Sequence, residues 1–408
     1  MNGREPVAPV RVAHFTDTYL PRRDGIVTAL RTTIPELRAA GHPGLLVAPH
    51  HPAQPAGEVG LALASLPTGV ADLRLSLPRI RYVTRVAQWS PALVHVHTIG
   101  TTGLLGTLAA RELSLPVVVT YHTDLHAYAD AYRIPTCVLR MALRFCTSRL
   151  AVRGLRPRCR SEVIDAFNTL LFQAADTVIV PTEAILRRAP FRTDHPRIVV
   201  VPTGVAFTGP SAGAGREFRA RWSIPQRAPV VLFVGRVNRE KGIELLAHAF
   251  RVVLDAVPDA RLVLVGAVYR PRWLRAVLSR AGVAGRTVIT GQQPTPVVRS
   301  AYAAAQVFGF PSLTDTQGLV LYEAALAGVP SVLIDPDLHA TSPLREGLLL
   351  SRPAPAAMGS ALATLLVNLA QARHLGAIAR QRAAEIDPRR HSERLLTLYR
   401  DVLSRYVP

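Results

Sequence analysis

Two doubly wound α/β domains, each built on a parallel sheet, are what this 408-residue sequence predicts. Three observations carry that expectation. Short apolar runs alternate with helix-period segments over residues 1–205 and again over 229–408, the signature of parallel sheets flanked by helices. Between the two series, residues 206–228 gather Gly209, Pro210, Gly213, Gly215 and Pro225 around a short Arg-rich helical stretch, a composition expected of a linker. The length also suffices for two separate cores.

In chain order, the first series places strands at Val10 to Phe15, Gly44 to Ala48, Leu93 to His97, Val117 to Tyr121, Thr177 to Val180 and Ile198 to Val201. Each is a short apolar run of the kind buried on both faces of a parallel sheet. Apolar residues recurring every three or four positions place helices at Val27 to Ala40, Ile80 to Gln88 and Gly103 to Leu113. The second series repeats the scheme with strands at Val230 to Val234, Arg261 to Val265, Thr287 to Thr290, Val307 to Phe310 and Ser331 to Ile334. Its helices are Gly242 to Ala256, Pro271 to Ala281, Gly318 to Ala327 and Met358 to Ala383, and the last helix of the chain is a candidate to cross back to the N-terminal domain. Two such domains facing across a cleft would bind a ligand at the carboxyl ends of their strands.

The formal charge is +20 and is shared by both halves of the chain, so it is not a basic tail and points to an anionic partner. With 6% aromatic residues and no interleaving of aromatic with basic side chains, nucleic acid is not the expected partner. Cys137, Cys146 and Cys159 are an odd number at spacings that match no zinc pattern, and no metal site is expected from them. No apolar run reaches the roughly 18 residues of a membrane helix, and the N-terminal residues lack a signal-type apolar segment. A cytoplasmic protein is the expectation, with the inner face of the plasma membrane as a candidate surface.

Of 48 Lys and Arg residues a single one is lysine, Lys241, and it lies in Gly235-Arg236-Val237-Asn238-Arg239-Glu240-Lys241-Gly242 between a strand and a helix. Free backbone N–H groups and the helix dipole favour an anion there, and Arg236 and Lys241 would add mobile positive charge. No Gly-Lys-Ser/Thr ending follows, so this is not a Walker loop, and a plain basic surface loop is the alternative. The segment Phe310 to Pro330 carries Asp315 before a helix opened by Gly318, and Glu323 inside that helix. Two carboxylates so placed suit the reading of sugar hydroxyls beside a phosphate held at the helix N-terminus.

At these residues the chain resembles the retaining glycosyltransferases of family 4, whose fold, GT-B, has two Rossmann-like domains. Arg236 and Lys241 match the family's Gly-Arg-x-x-x-x-Lys-Gly loop, which implies contact with the donor diphosphate. Asp315 and Glu323 match its paired acids, usually Glu-x7-Glu, which implies that Asp315 meets the donor sugar and Glu323 the ribose. Val201-Pro202-Thr203-Gly204-Val205 is similar to the family's Pro-Asn-Gly-Val segment, with Thr203 in place of Asn. Phe15-Thr16-Asp17-Thr18-Tyr19-Leu20-Pro21, Asp24 to Thr28, Thr120-Tyr121-His122-Thr123-Asp124 and Thr314 to Leu319 resemble the bacterial diacylglycerol α-glucosyltransferases. That similarity implies that Gly25, Gly204, Gln317, Gly318 and Leu319 line the donor and that His122 faces the donor sugar near the reacting centre. It also implies a nucleotide-sugar donor, uridine rather than guanosine, α-linked transfer with retention, and no cofactor or metal beyond that donor. Gly266-Ala267-Val268-Tyr269 departs from the family's common Gly-Asp-Gly-Pro.

The acceptor expected from this resemblance is a membrane lipid such as diacylglycerol, with a soluble acceptor as the alternative. Residues 131–161 hold eight Arg and no acid, with Leu139, Leu143, Cys146 and Leu150 at helical spacing. Such a stretch suits a basic amphipathic helix lying on anionic lipid through Arg140, Arg144, Arg149 and Arg153. The alternative is a helix packed on its own domain with a solvated Arg face.

Overall fold

The computed structural model describes residues 8–406 apart from 69–72, 78, 132–133, 151 and 189–196. Two compact units divide the chain, one formed by Met1–Gly204 with Pro388–Pro408 and the other by Val205–Asp387.

The first unit runs β1 (Val12–Phe15), α1 (Gly25–Ala39), β2 (Gly44–Pro49), β3 (Leu61–Leu63), β4 (Ser65–Pro67), β5 (Arg74–Ser76), α2 (Ile80–Trp89), β6 (Leu93–Val96) and α3 (Thr101–Glu112). It continues through β7 (Val117–Thr120), α4 (Leu125–Ala131), α5 (Thr136–Leu150), α6 (Arg160–Gln173), β8 (Thr177–Val180), α7 (Ala184–Arg187) and β9 (Ile198–Val200). Seven strands form one parallel sheet in the order β3-β2-β1-β6-β7-β8-β9, while β4 and β5 pair antiparallel apart from it. Side chains alternate across this sheet with the period of a strand. Ala13, Phe15, Val94, Val96, Val117 and Val119 face α2 and α3, packing on Val83, Val86, Leu105 and Ala109.

The second unit runs α8 (Ala214–Arg221), β10 (Val230–Val234), α9 (Ile243–Ala256), β11 (Arg261–Val265), α10 (Pro271–Arg280), β12 (Thr287–Gly291), α11 (Thr295–Ala304) and β13 (Val307–Phe310). Then come α12 (Leu319–Leu326), β14 (Ser331–Leu333), α13 (Pro336–Thr341), β15 (Leu348–Leu350), α14 (Pro355–Val367) and α15 (Leu369–Ala383). Its sheet is parallel throughout, in the order β12-β11-β10-β13-β14-β15. One face buries Val231, Phe233, Leu262 and Leu264 against Leu246, Phe250 and Val253 of α9, and Met358, Leu362 and Leu365 of α14 close that core.

The final helix, α16 (Pro388–Arg405), belongs to the first unit. Its Leu395, Leu396, Tyr399 and Val402 pack on Val12, Leu93, Val118 and Ile179, the sheet face opposite α2 and α3.

Two expectations need correction. Residues 206–228 are not a spacer, because Ala214 and Phe218 are buried and α8 packs on α11. Arg219 is buried as well, its guanidinium donating to the carbonyls of Pro225, Ala228 and Ala304. The Gly and Pro content is real, but a guanidinium that closes four chain carbonyls, Gln226 included, makes the segment a structural corner of the second unit. The single helix expected over 358–383 is two, since the Asn368 side chain accepts the Gln371 N–H and caps a new start for α15. Among the described residues no single helix is long and apolar enough to cross a membrane.

Candidate active site

In the second unit, β10 ends at Val234 and the chain turns through residues 235–242 before α9. Gly242 holds this corner. Its φ is +70°, and a Cβ there would stand 2.0 Å from the Pro311 carbonyl oxygen, so only glycine brings the loop against the end of β13. Asn238 accepts the Lys241 N–H at 3.1 Å, and Glu240 takes the Arg236 guanidinium at 2.9 Å.

The lone lysine then meets the first of the paired acids. Lys241 Nζ lies 2.9 Å from both Asp315 Oδ1 and Oδ2, and 3.6 Å from Glu240 Oε1. Two positive and two negative side chains therefore sit together, so Arg236 and Lys241 are each held by a carboxylate rather than standing as bare cations. Burial alone would raise the Asp315 carboxyl, but Lys241, the Ser312 hydroxyl and Arg236 outweigh it and hold the group below the usual carboxylate range.

Three residues past Asp315, Gly318 takes φ +68° and caps α12, with Leu319 as its first residue and Gln317 buried beside it. The first turn of α12 leaves N–H groups unpaired within the helix, as every helix start does. Glu323, one turn on, is separate from the Lys241 cluster. Its Oε2 accepts the Tyr302 hydroxyl at 3.0 Å. Burial pushes its carboxyl up to about 7, against the Tyr302 hydrogen bond and the Arg299 charge.

In the first unit, Gly25 opens α1 and is exposed, and Asp24 caps that helix while bonding Arg22 at 2.7 Å. His122 follows β7, partly exposed, with its Nε2 3.2 Å from His97 Nδ1. Burial pushes its imidazole down to about 4 and His391 adds to this, while Asp24 opposes, so the ring is neutral at pH 7. Gly204 is buried and ends this unit after β9. Asp17 serves the scaffold: its two oxygens accept the Gly100 and Thr102 N–H groups at the start of α3.

Sequence reasoning missed Glu240, Tyr302, His14 and His97. Glu240 and Tyr302 lie four and 21 positions from the groups they bond, and neither spacing is a recognisable motif. The histidines had a signal in strand alternation, since His95 and His97 fall on one face of β6 and its continuation.

His14, His95 and His97 bring ring nitrogens within 4.8 Å of one another, close enough to suggest a metal. Most of their nitrogens are otherwise engaged: His95 lies 2.7 Å from both the Tyr399 and Thr120 hydroxyls, and His14 Nδ1 is 3.0 Å from His97 Nε2, while His14 Nε2 is buried with no hydrogen-bond partner among the described residues. Ligation would have to break those hydrogen bonds.

Of the basic stretch 131–161, residues 132, 133 and 151 lie outside the described ones. Leu139, Leu143, Cys146 and Leu150 do not face outward as a lipid-inserting face requires. They pack on Val163, Ala166 and Leu170 of α6, the ordinary way for a two-layer edge to bury an amphipathic helix. Arg140, Arg144 and Arg149 are exposed on α5 and Arg153 is exposed beyond its end. The other side of α5 leaves Val138, Met141 and Phe145 exposed, at 43%, 67% and 40%.

Residues 24–204 match the glycosyl transferase 4-like domain, and residues 228–368 match the glycosyl transferases group 1. A GDP-mannose-dependent alpha-mannosyltransferase of Mycolicibacterium smegmatis is 31% identical over 84% of each chain. The chain is a group 1, family 4-like glycosyltransferase. An alpha-monoglucosyldiacylglycerol synthase of Streptococcus pneumoniae is 26% identical to this glycosyltransferase, over 79% of its chain and 70% of the relative. Sucrose-phosphate synthase of Thermosynechococcus elongatus shares its fold with a TM-score of 0.70 at 22% identity, covering 97% of this chain and 99% of that one. The glycosyltransferase thus has the GT-B fold, with one parallel-sheet α/β domain in each half.

Proposed function

We propose that this glycosyltransferase moves a hexose from a nucleoside diphosphate sugar to an acceptor hydroxyl with retention, giving an α-glycoside. The observation that carries this is the meeting of Lys241 with Asp315, 74 residues apart, at the paired starts of α9 and α12. That arrangement supports a site in which a diphosphate lies on Arg236, Lys241 and helix N–H groups while Asp315 turns to the sugar and Glu323 to the ribose. Gly25, Gly204, Gln317, Gly318 and Leu319 would complete the donor contacts, and His122 would meet the sugar.

In this mechanism the bond from the anomeric carbon to the leaving phosphate oxygen breaks as the acceptor oxygen bonds the same face. The acceptor proton passes to the leaving phosphate. Arg236 and Lys241 neutralise the charge growing on the diphosphate, so the step is assigned to fixed donors and no resident metal is invoked.

For the donor, the relative with 31% identity favours GDP-mannose over the uridine donor that the sequence motifs suggest. For the acceptor, the synthase named for diacylglycerol and the exposed Val138, Met141 and Phe145 beside Arg140, Arg144 and Arg149 favour a lipid at an anionic membrane surface on the cytoplasmic side. The packing of Leu139 and Leu143 onto α6 favours the second reading, a soluble acceptor.

Incubation with GDP-mannose and UDP-glucose, each with diacylglycerol vesicles or with soluble acceptors, and mass spectrometry of the products tests both choices. A one-bond carbon–proton coupling at C1 of the product in the α-anomeric range is expected. A β-linked product, or donor hydrolysis alone in every combination, would overturn the proposal.

A further inference from the structure

The loop that carries Arg236 and Lys241 also carries a negative charge of its own. A single oxygen of Glu240 serves both cations, with Oε1 2.9 Å from Arg236 Nη2 and 3.6 Å from Lys241 Nζ. The other oxygen, Oε2, accepts the Asn238 side-chain N–H at 3.4 Å. Of the four charged groups in the cluster Glu240 is the most enclosed, 6% exposed against 13% for Arg236, 14% for Lys241 and 21% for Asp315.

The loop itself keeps this carboxylate in place. The Gly235 and Val237 N–H groups bond the Val265 and Ala267 carbonyls, the Asn238 N–H bonds the Arg236 carbonyl, and Asn238 Oδ1 takes the Lys241 N–H. Gly242 closes the far end against Pro311. Asp315 belongs to another loop and is the acid assigned to the sugar. Glu240, enclosed in the same segment as the two cations, stays beside them when a diphosphate arrives.

A carboxylate so placed acts in two opposed ways. It lets two like charges stand side by side in an empty site, and it repels any anion drawn to them, the more so the more charge that anion bears. Sugar transfer changes that charge. In a nucleotide sugar each phosphate of the diphosphate carries one negative charge, whereas the nucleoside diphosphate left behind has a free terminal phosphate that ionises a second time at about pH 6. Arg236 and Lys241 by themselves would therefore hold the product more tightly than the diphosphate of the donor. Glu240 offsets that gain.

We propose that Glu240 is a positioning residue that sets Arg236 and Lys241 side by side and, as a carboxylate retained next to both, speeds departure of the nucleoside diphosphate product. This rests on the placement of the donor diphosphate on Arg236 and Lys241.

Calorimetry and rapid-mixing dissociation rates on the full chain at about pH 8 test this, with GDP, UDP, GDP-mannose and UDP-glucose as probes. In Glu240→Gln the amide oxygen still accepts from Arg236 while the charge is gone. GDP and UDP should then bind about tenfold tighter and leave about tenfold more slowly, and the nucleotide sugars should gain about fivefold, two charges against three. A residue that only positioned Arg236 would give the opposite, weaker binding of all four probes, and that result overturns the proposal. So does a gain for the nucleotide sugars equal to or larger than the gain for GDP and UDP. Glu240→Asp keeps the charge and should not tighten either diphosphate; tightening there overturns the proposal even if Glu240→Gln fails to fold. Unchanged binding of GDP and UDP in Arg236→Ala and Lys241→Ala would take the diphosphate off this site, a failure of the underlying reading that carries the proposal with it. Weaker binding in those two variants with no gain in Glu240→Gln is a failure of the proposal alone.

Discussion

Replacing Asp315 by Asn should strengthen the binding of free nucleoside diphosphate while it impairs sugar transfer. Lys241 Nζ is 2.9 Å from both carboxylate oxygens, and the two side chains are only 14% and 21% exposed. At an effective dielectric of about 20, charges ~3 Å apart attract by roughly 6 kcal/mol before desolvation is subtracted. Desolvation of two part-buried groups removes most of that and leaves on the order of 1–2 kcal/mol. A diphosphate that draws Lys241 away must overcome this amount. With Asn at 315 it need not, and nucleoside diphosphate should bind about tenfold tighter, 1.4 kcal/mol being a factor of ten. Titration calorimetry with GDP and UDP on wild type, Asp315→Asn and Lys241→Ala measures it, alongside hexose transfer. Lys241→Ala should weaken the diphosphate about tenfold or more, as loss of a charge-assisted hydrogen bond does. If Asp315→Asn weakened the diphosphate as much as Lys241→Ala, the carboxylate would be supporting the phosphate site rather than competing for its lysine, and the division of roles would fall.

Glu323, raised to about 7, binds its proton more tightly folded than unfolded. The stability this gives is fully present below about pH 4.5 and is lost as pH rises through about 7, a fall of about 3 kcal/mol that Glu323→Gln should remove from urea-unfolding curves collected across that range. Gly242→Ala must move either the loop or the end of β13, because its Cβ would overlap the Pro311 carbonyl. A loss of at least ~2 kcal/mol in urea unfolding is expected, and wild-type stability would contradict the close approach. Changing Val138, Met141 and Phe145 together to Ser should abolish sedimentation with anionic vesicles, while Arg140, Arg144, Arg149 and Arg153 changed to Gln should weaken it and lower its salt dependence. Equal sedimentation by both variants and wild type would leave the soluble acceptor as the better assignment.

Most of both sheets was legible because the central strands are short apolar runs between turn residues, whereas the three-residue edge strands β3 (Leu61–Leu63) and β15 (Leu348–Leu350) are too short to stand out and were not expected. The residues of the proposed donor site were marked by Lys241, a residue type used once, and by Asp315 and Glu323 flanking a helix start. What escaped is pairing across the fold. Nothing near Lys241 in the chain says that its charge lies on Asp315, and nothing near Glu323 says that Tyr302 donates to it. The α5 segment shows the limit from the other side. Leu139, Leu143, Cys146 and Leu150 have the spacing of an apolar stripe, but the same spacing serves a helix on lipid and a helix on α6. Only the partner decides, and here it is Val163, Ala166 and Leu170.

The chain leaves the first unit at Gly204 and re-enters it at Pro388, which fixes the order in which the two halves can mature during synthesis. Residues 205–387 are contiguous and have all their core partners once residue 387 has emerged. The first unit, though made earlier, must wait, because Val12, Leu93, Val118 and Ile179 stay uncovered until Leu395, Leu396, Tyr399 and Val402 arrive. Each such apolar side chain contributes roughly 1.5–3 kcal/mol when buried. On the ribosome, therefore, the half translated second is completed first, and the half translated first is sealed by the closing helix of the chain.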